Sequence, residues 1–150
     1  MSFFVIKSIK IYSDCDEKIR KNLKPDVYPL AGNLERGFFG QNISVQAIVG
    51  MNGSGKSSLL ELMFRMVNNF AAQLFRDVDC AMADRLVLVR GLHADLHYSV
   101  DDIEGVLSVN DKKVGLDYGR RLLNSCWIRK TVLIFIRVIT AIWRTSMCLR

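Results

Sequence analysis

A mixed α/β fold organised around one glycine-rich loop is what this sequence predicts, on three adjacent observations. Residues 50–58 read GMNGSGKSS and satisfy the spacing G-x-x-x-x-G-K-[ST] at Gly50, Gly55, Lys56 and Ser57. The seven residues before them, 43–49, are β-branched and largely apolar, the composition of a central strand in a parallel sheet. After them, Leu60, Met63, Phe64, Val67, Phe70, Ala71 and Leu74 recur at three- and four-residue steps. That stripe predicts an amphipathic helix of about five turns with one face on the sheet. Strand, glycine loop and helix in this order form the context in which the spelling binds phosphate, and together they predict a P-loop NTPase fold.

The remaining elements follow from changes of period. Residues 3–12 read as a first strand, and a charged stretch at 13–24 leads to a turn at Pro25 and Asp26. Beyond the helix, residues 85–90, 94–100 and 105–109 are short β-rich runs parted by Gly91, by Asp101-Asp102 and by Asn110-Asp111. They read as antiparallel hairpins, a β-meander. There is no internal repeat and no low-complexity segment.

Composition sets bounds on this reading. A chain of 150 residues with 50% hydrophobic content and two prolines can bury a core and is not a disordered composition. Cys15, Cys80, Cys126 and Cys148 lie far apart, without a C-x-x-C pair or a secretory signal before them, which argues against disulfides and zinc and for a cytoplasmic protein. Arg120, Arg121, Arg129, Lys130, Arg137, Arg144 and Arg150 fall in a stretch, 118–150, that has no Asp or Glu. The formal net charge of +6 therefore resides in that tail, and residues 1–117 form a nearly neutral lobe. A basic tail suits nucleic acid or an anionic surface, and equally a solvated terminus. Its apolar run at 131–143 is too short to span a bilayer and is broken by Arg137. A core strand, an interfacial segment and an out-of-frame terminus are the three readings of it.

The loop's spelling has a chemical reason. Backbone N–H groups converge on phosphate oxygens only where the chain wraps closely round the anion, which Gly50, Gly53 and Gly55 permit by lacking Cβ. Lys56 adds a charge for the β- and γ-phosphates, Ser57 offers a hydroxyl to Mg²⁺, and Ser58 stands where an α-phosphate contact falls. Asn52 and Ser54 complete the candidate set at 50–58. Other constellations are weaker. His93 and His97 are spaced like a zinc-protease pair, but Ala94 replaces the glutamate base and the stretch reads as strand. Tyr12 is a candidate adenine-stacking residue or an ordinary sheet aromatic. Gln41 and Gln46 have no assigned role, and Asn110-Asp111-Lys112-Lys113 does not spell the guanine-selective N-K-x-D.

The segment NGSGKSSLLE at 52–61, with an N-terminal strand pair, a long helix and following hairpins, resembles the first lobe of ABC-type ATPase heads. The resemblance is especially to the RecF-like and structural-maintenance-of-chromosomes-like AAA ATPases of prokaryotes. It covers roughly residues 3–117. What it implies is ATP with Mg²⁺, head-to-head dimerisation around nucleotide, a possible partner nuclease subunit, and work in DNA maintenance, repair or anti-phage defence. Two departures qualify the resemblance. Such heads carry a Walker B strand ending in acids, whereas here residues 132–136 end at Arg137, and Val100-Asp101-Asp102 follows a poor buried strand and reads as a hairpin turn. Nor is there an LSGG-like signature, since Leu107-Ser108-Val109-Asn110 lacks the glycines. The expectation is a partial head that binds ATP and hydrolyses it slowly if at all. The competing classes are a small P-loop kinase, with Arg120 and Arg121 as lid cations, and a non-enzymatic basic interaction module.

Overall fold

The computed structural model describes residues 3–31, 45, 47–74, 87–111 and 114–118. The chain divides into two compact units, Met1–Gly119 and Arg120–Arg150, and all described residues belong to the first. It is a mixed α/β unit. Strand β1 (Phe4–Ile11) is followed by a one-turn helix α1 (Glu17–Arg20), strand β2 (Val27–Pro29), a long helix α2 (Lys56–Leu74), and strands β3 (Ala94–Val100), β4 (Ile103–Val109) and β5 (Val114–Tyr118). The five strands form one sheet in the order β2-β1-β3-β4-β5, and every neighbouring pair is antiparallel.

Alternation along each strand produces the core face. Ile9, Leu96, Leu107 and Leu116 form one cross-strand row, and Ile11, Ala94, Val109 and Val114 the next. Ile9, Leu96 and Leu107 are fully buried. A strict two-residue period would put Ile9 and Ile11 on the face opposite Phe4 and Ile6. The register resolves the conflict with a bulge: Ile6 pairs with Tyr98 and Ser8 with His97, leaving Lys7 as the extra residue. Its side chain extends to Glu104 at 2.7 Å while its carbonyl accepts from the N–H groups of Leu30 and Ala31.

The third row is an exchange of volume. Gly105 lies opposite Tyr98, and a Cβ at Gly105 would come within 2.5 Å of the tyrosine ring. The missing side chain is what lets the fully buried Tyr98 lie across β4. Between β3 and β4 the chain reverses at Asp101 (φ 49) and Asp102 (φ 67), the two left-handed residues of a type I′ hairpin. Asp101 also exchanges hydrogen bonds with the backbone of Phe3, so Val100-Asp101-Asp102 is a turn tied to the start of β1.

Helix α2 packs on α1 and on β3, β4 and β5 through Leu59, Leu62, Met66, Val67 and Phe70. The expected stripe is therefore rotated. Val67 and Phe70 are inside as predicted, Met63, Phe64 and Ala71 are half-buried, and Leu60 is exposed. The residue that hydrophobic spacing could not place inside is Asn69, 2% exposed. Its side-chain amide donates to the carbonyl of Val89 at 2.7 Å and accepts from the Val89 N–H at 2.8 Å, as a neighbouring strand would. Asn68 likewise donates to the carbonyl of Val87 at 2.7 Å.

Two expected strands are not formed where they are described. Residues 87–90 of the run at 85–90 have no ladder, because the asparagines of α2 satisfy their backbone instead. Of the run at 43–49, residues 45 and 47–49 lie outside any strand, with Val45 50% and Val49 89% exposed. A β-branched run is buried on both faces only between two neighbouring strands, and the sheet among the described residues is antiparallel and contains none beside it. Conversely, β2 and β5 are strands the sequence did not announce. β2 has three residues, and β5 reads VGLDY with a glycine and an aspartate within it.

Candidate phosphate-binding site

The glycine loop leads directly into α2, whose first residue is Lys56. Gly53 and Gly55 have φ of +82° and +93°, a conformation that L side chains rarely adopt, and they flank Ser54, whose N–H donates to Met51 O at 3.2 Å. Successive peptide planes that alternate in this way form a concavity lined by N–H groups. Gly50 does not have a positive φ, and a Cβ there would crowd only the exposed Ser54 hydroxyl, at 2.7 Å, which can turn aside. Of the first N–H groups of α2, that of Leu59 reaches Gly55 O at 2.9 Å. Those of Lys56, Ser57 and Ser58 stand where a helix has no carbonyl of its own to offer.

The Lys56 ammonium folds back over the loop, donating to Gly50 O at 2.5 Å and Met51 O at 2.8 Å. Among the described residues its ion-pair partners include no carboxylate. Among the described residues the Lys56 ammonium is held by carbonyl dipoles alone, at the start of a helix whose first N–H groups have no partner within the helix, a combination that suits an anion. Asn52, Gly53, Ser54 and Ser57 are exposed, Gly55 is buried and Ser58 is half-buried.

The sequence missed what lies beneath the loop. The residues that leave α1 dock on the loop and on α2 from 31 to 40 positions away. Asn22 donates from Nδ2 to Gly53 O at 2.8 Å and accepts from Ser58 Oγ at 2.7 Å. Lys21, held at φ 56, pairs with Glu61, which also pairs with Arg65 at 2.5 Å. The Lys21 hydrogen bond is the main reason the Glu61 carboxyl titrates below its ordinary range. Leu23, 3% exposed, lies so close to Gly55 that a Cβ there would sit 2.8 Å from its Cδ2. No local pattern marks these residues, because their role is a tertiary contact.

A second polar cluster accounts for several other candidates. The Tyr12 ring stacks on His93 with centroids 4.2 Å apart, Lys10 Nζ sits 4.5 Å from its centroid, and its hydroxyl donates to Asp95 at 2.6 Å. That bond to Asp95 raises the Tyr12 pKa. His93 Nδ1 lies 2.6 Å from Asp14, whose carboxyl it pulls below the usual value. His93 precedes β3 and His97 lies within it, so the pair is not on a helix, and no group of three or more His, Cys, Asp or Glu that could hold a metal occurs among the described residues. Asp111 of Asn110-Asp111 accepts from the Gly91 N–H at 2.6 Å. Leu107, Ser108 and Val109 are interior to β4, not a loop. Cys15 is a buried free thiol.

Gln41, Gln46, residues 85–86, Cys80, Cys126, Cys148, the side chain of Leu74, Lys112-Lys113, and the whole tail at 118–150 apart from the backbone of Tyr118 lie outside the described residues. With them lie Arg120, Arg121 and the run at 132–137. No described helix is long and apolar enough to cross a membrane. Comparison with family models, curated proteins and solved structures finds no match to the chain.

Proposed function

We propose that this chain is the ATP-binding lobe of an ABC-type ATPase of the RecF-like or structural-maintenance-of-chromosomes-like kind, acting in the cytoplasm in DNA maintenance, repair or anti-phage defence. The observation that carries the reading is the loop itself: Gly53 and Gly55 at positive φ, a lysine ammonium held only by loop carbonyls, and a helix beginning at that lysine. The layout after the helix supports it over a small P-loop kinase, because β3, β4 and β5 follow one another as antiparallel hairpins rather than alternating with helices. The third class, a basic interaction module, depends on residues of the tail.

The residues fit Mg-ATP in a specific division of labour. Lys56 exchanges two carbonyl partners for the β- and γ-phosphates, a gain in charge–charge attraction at no cost in separated ion pairs. The amides around Gly53, Gly55 and the first turn of α2 donate to the same oxygens. The Ser57 hydroxyl is exposed at the helix start and would hold Mg²⁺ together with phosphate oxygens, the sharing of ligands that ion favours. Mg²⁺ supplies charge neutralisation on the terminal phosphates. Water activation is a different requirement. The acid nearest the loop along α2, Glu61, is committed to Lys21 and Arg65, so among the described residues α2 offers the loop no free carboxylate base. Nucleotide binding with slow turnover follows. A second head, docked head-to-head, or a partner nuclease subunit would complete the site, with DNA as the client.

Titration calorimetry of the full chain with Mg-ATP tests this. Lys56→Ala should weaken binding about 10- to 150-fold, the scale of a hydrogen bond to a charged group. Absence of Lys56-dependent heat in folded protein refutes the nucleotide reading, and an ordinary ATPase rate abolished by Lys56→Ala refutes slow turnover.

A further inference from the structure

We propose that Asn22 is the positioning residue of the phosphate loop, and that the Ser58 hydroxyl serves this clasp and not the ligand. The inference rests on the phosphate-binding reading above and assigns that site its control element. The argument begins with donors and acceptors. Gly53 O can only accept, so the Asn22 amide must turn Nδ2 toward it, and Oδ1 then faces Ser58, whose hydroxyl becomes the donor. A hydroxyl has one hydrogen. With it given to Asn22, Ser58 Oγ presents only lone pairs, which repel a phosphate oxygen, and Ser58 contributes its backbone N–H alone.

The other end of the amide fixes the loop. The peptide linking Gly53 to Ser54 is planar, so its carbonyl and N–H point in opposite directions. Asn22 holds the carbonyl at 2.8 Å and Met51 O holds the N–H at 3.2 Å, so this plane is pinned from both sides. The two glycines at positive φ lie on either side of it. Without Asn22 a Gly-rich segment has many alternative conformations, and anion affinity falls by the fraction that keeps the bound shape. Asn22 is itself held between anchors: Lys21 on Glu61 before it, and Leu23 buried against Gly55 after it. Asn22 and Leu23 thus dock on the loop by amide and by apolar contact, while Lys21 anchors the same segment on α2 by charge.

The test compares Mg-ATP affinity of the wild type, Asn22→Ala, Ser58→Ala and the double variant by calorimetry, with Lys56→Ala alongside. Asn22→Ala should bind roughly tenfold more weakly, from the loss of about one net hydrogen bond's worth of order. The double variant should be no weaker than Asn22→Ala within about twofold, because Ser58 acts through Asn22. Unchanged affinity in Asn22→Ala overturns the proposal, and so does a Ser58→Ala loss that multiplies with it. Amide hydrogen exchange of the nucleotide-free chain is an independent arm. Exchange at the hydrogen-bonded amides of Ser54 and Leu59 should quicken in Asn22→Ala while β3 amides keep their rates, and unchanged exchange at both sinks the clasp whether or not nucleotide binds. If Asn22→Ala does not fold, Asn22→Leu, of similar volume but with neither donor nor acceptor, takes its place in both arms with the same expected outcome. Lys56-independent binding in every variant marks failure of the nucleotide reading, which the exchange arm distinguishes from failure of the clasp.

Discussion

Replacing Gly55 by alanine separates two costs that the loop places on a single residue. The first is conformational: Gly55 sits at φ +93°, where an L side chain is strained by about 1–2 kcal/mol. The second is steric. The new Cβ would stand 2.8 Å from Leu23 Cδ2, whereas carbon atoms rest at about 3.5–4.0 Å. Leu23 is only 3% exposed, so it cannot swing into solvent without giving up its burial, and overpacking of this kind costs about 1–3 kcal/mol. The sum for Gly55→Ala is about 2–5 kcal/mol. Gly53 supplies the control, since it has φ +82° but nothing within 4 Å of its would-be Cβ, leaving only the conformational cost of about 1–2 kcal/mol. Urea unfolding of both variants measures the difference, and Leu23→Ala in the Gly55→Ala background should relieve the steric part, making the two losses less than additive. Equal destabilisation by the two glycine substitutions, or strict additivity with Leu23→Ala, would refute the docking of Leu23 under the loop.

Other expectations follow from the same geometry. Gly105→Ala drives a Cβ into the fully buried Tyr98 ring and to 2.8 Å from Asp117 O, and thermal melting should register a loss of about 2–3 kcal/mol. Asn69→Ala strands the N–H and C=O of Val89, with an expected loss of about 2–3 kcal/mol and faster amide exchange at Val89; a melting curve matching wild type would argue against the contact. Glu61 is held below its ordinary value of 4.5 chiefly by the Lys21 hydrogen bond. The folded state therefore favours its charged form, so its contribution is whole above pH 4.5 and fades as the pH drops through the lowered folded value. Because the pair is part-exposed the effect is small, and Glu61→Gln should flatten the acid limb of a stability–pH curve. Burial raises the Cys15 thiol above its ordinary 9.0, so the stability it contributes is intact below pH 9.0 and declines as the pH rises through the folded value. An alkylating reagent at neutral pH should leave Cys15 unmodified until the chain is unfolded, as mass spectrometry of its peptide would show.

Several features were legible along the chain because their cause is local. The glycines of the loop are demanded by backbone angles at Gly53 and Gly55, and the start of α2 at Lys56 follows from the helix-period residues beyond it. β3 was legible end to end from its alternation and its Asp-Asp turn, and β1 almost so. The break in phase between Ile6 and Ile9 was also written in the residues, although it becomes a bulge only when β3 supplies the register. Elsewhere local composition misled. Residues 87–90 have strand-like side chains yet take hydrogen bonds from Asn68 and Asn69, and residues 45 and 47–49 have strand-like composition with no strand beside them among the described residues.

The sequence by itself determined the glycine loop, the helix that follows it and the hairpin period of the later strands, since each of these is a property of residues within a few positions of one another. The tertiary structure alone decided that the five strands close into one antiparallel sheet, that a polar asparagine belongs on the buried face of α2, and that Lys21, Asn22 and Leu23 brace the loop from more than thirty residues away. The physical reason is one of range. Backbone conformation and hydrophobic period are set by near neighbours, whereas the partner of a buried amide is known only once distant segments have met.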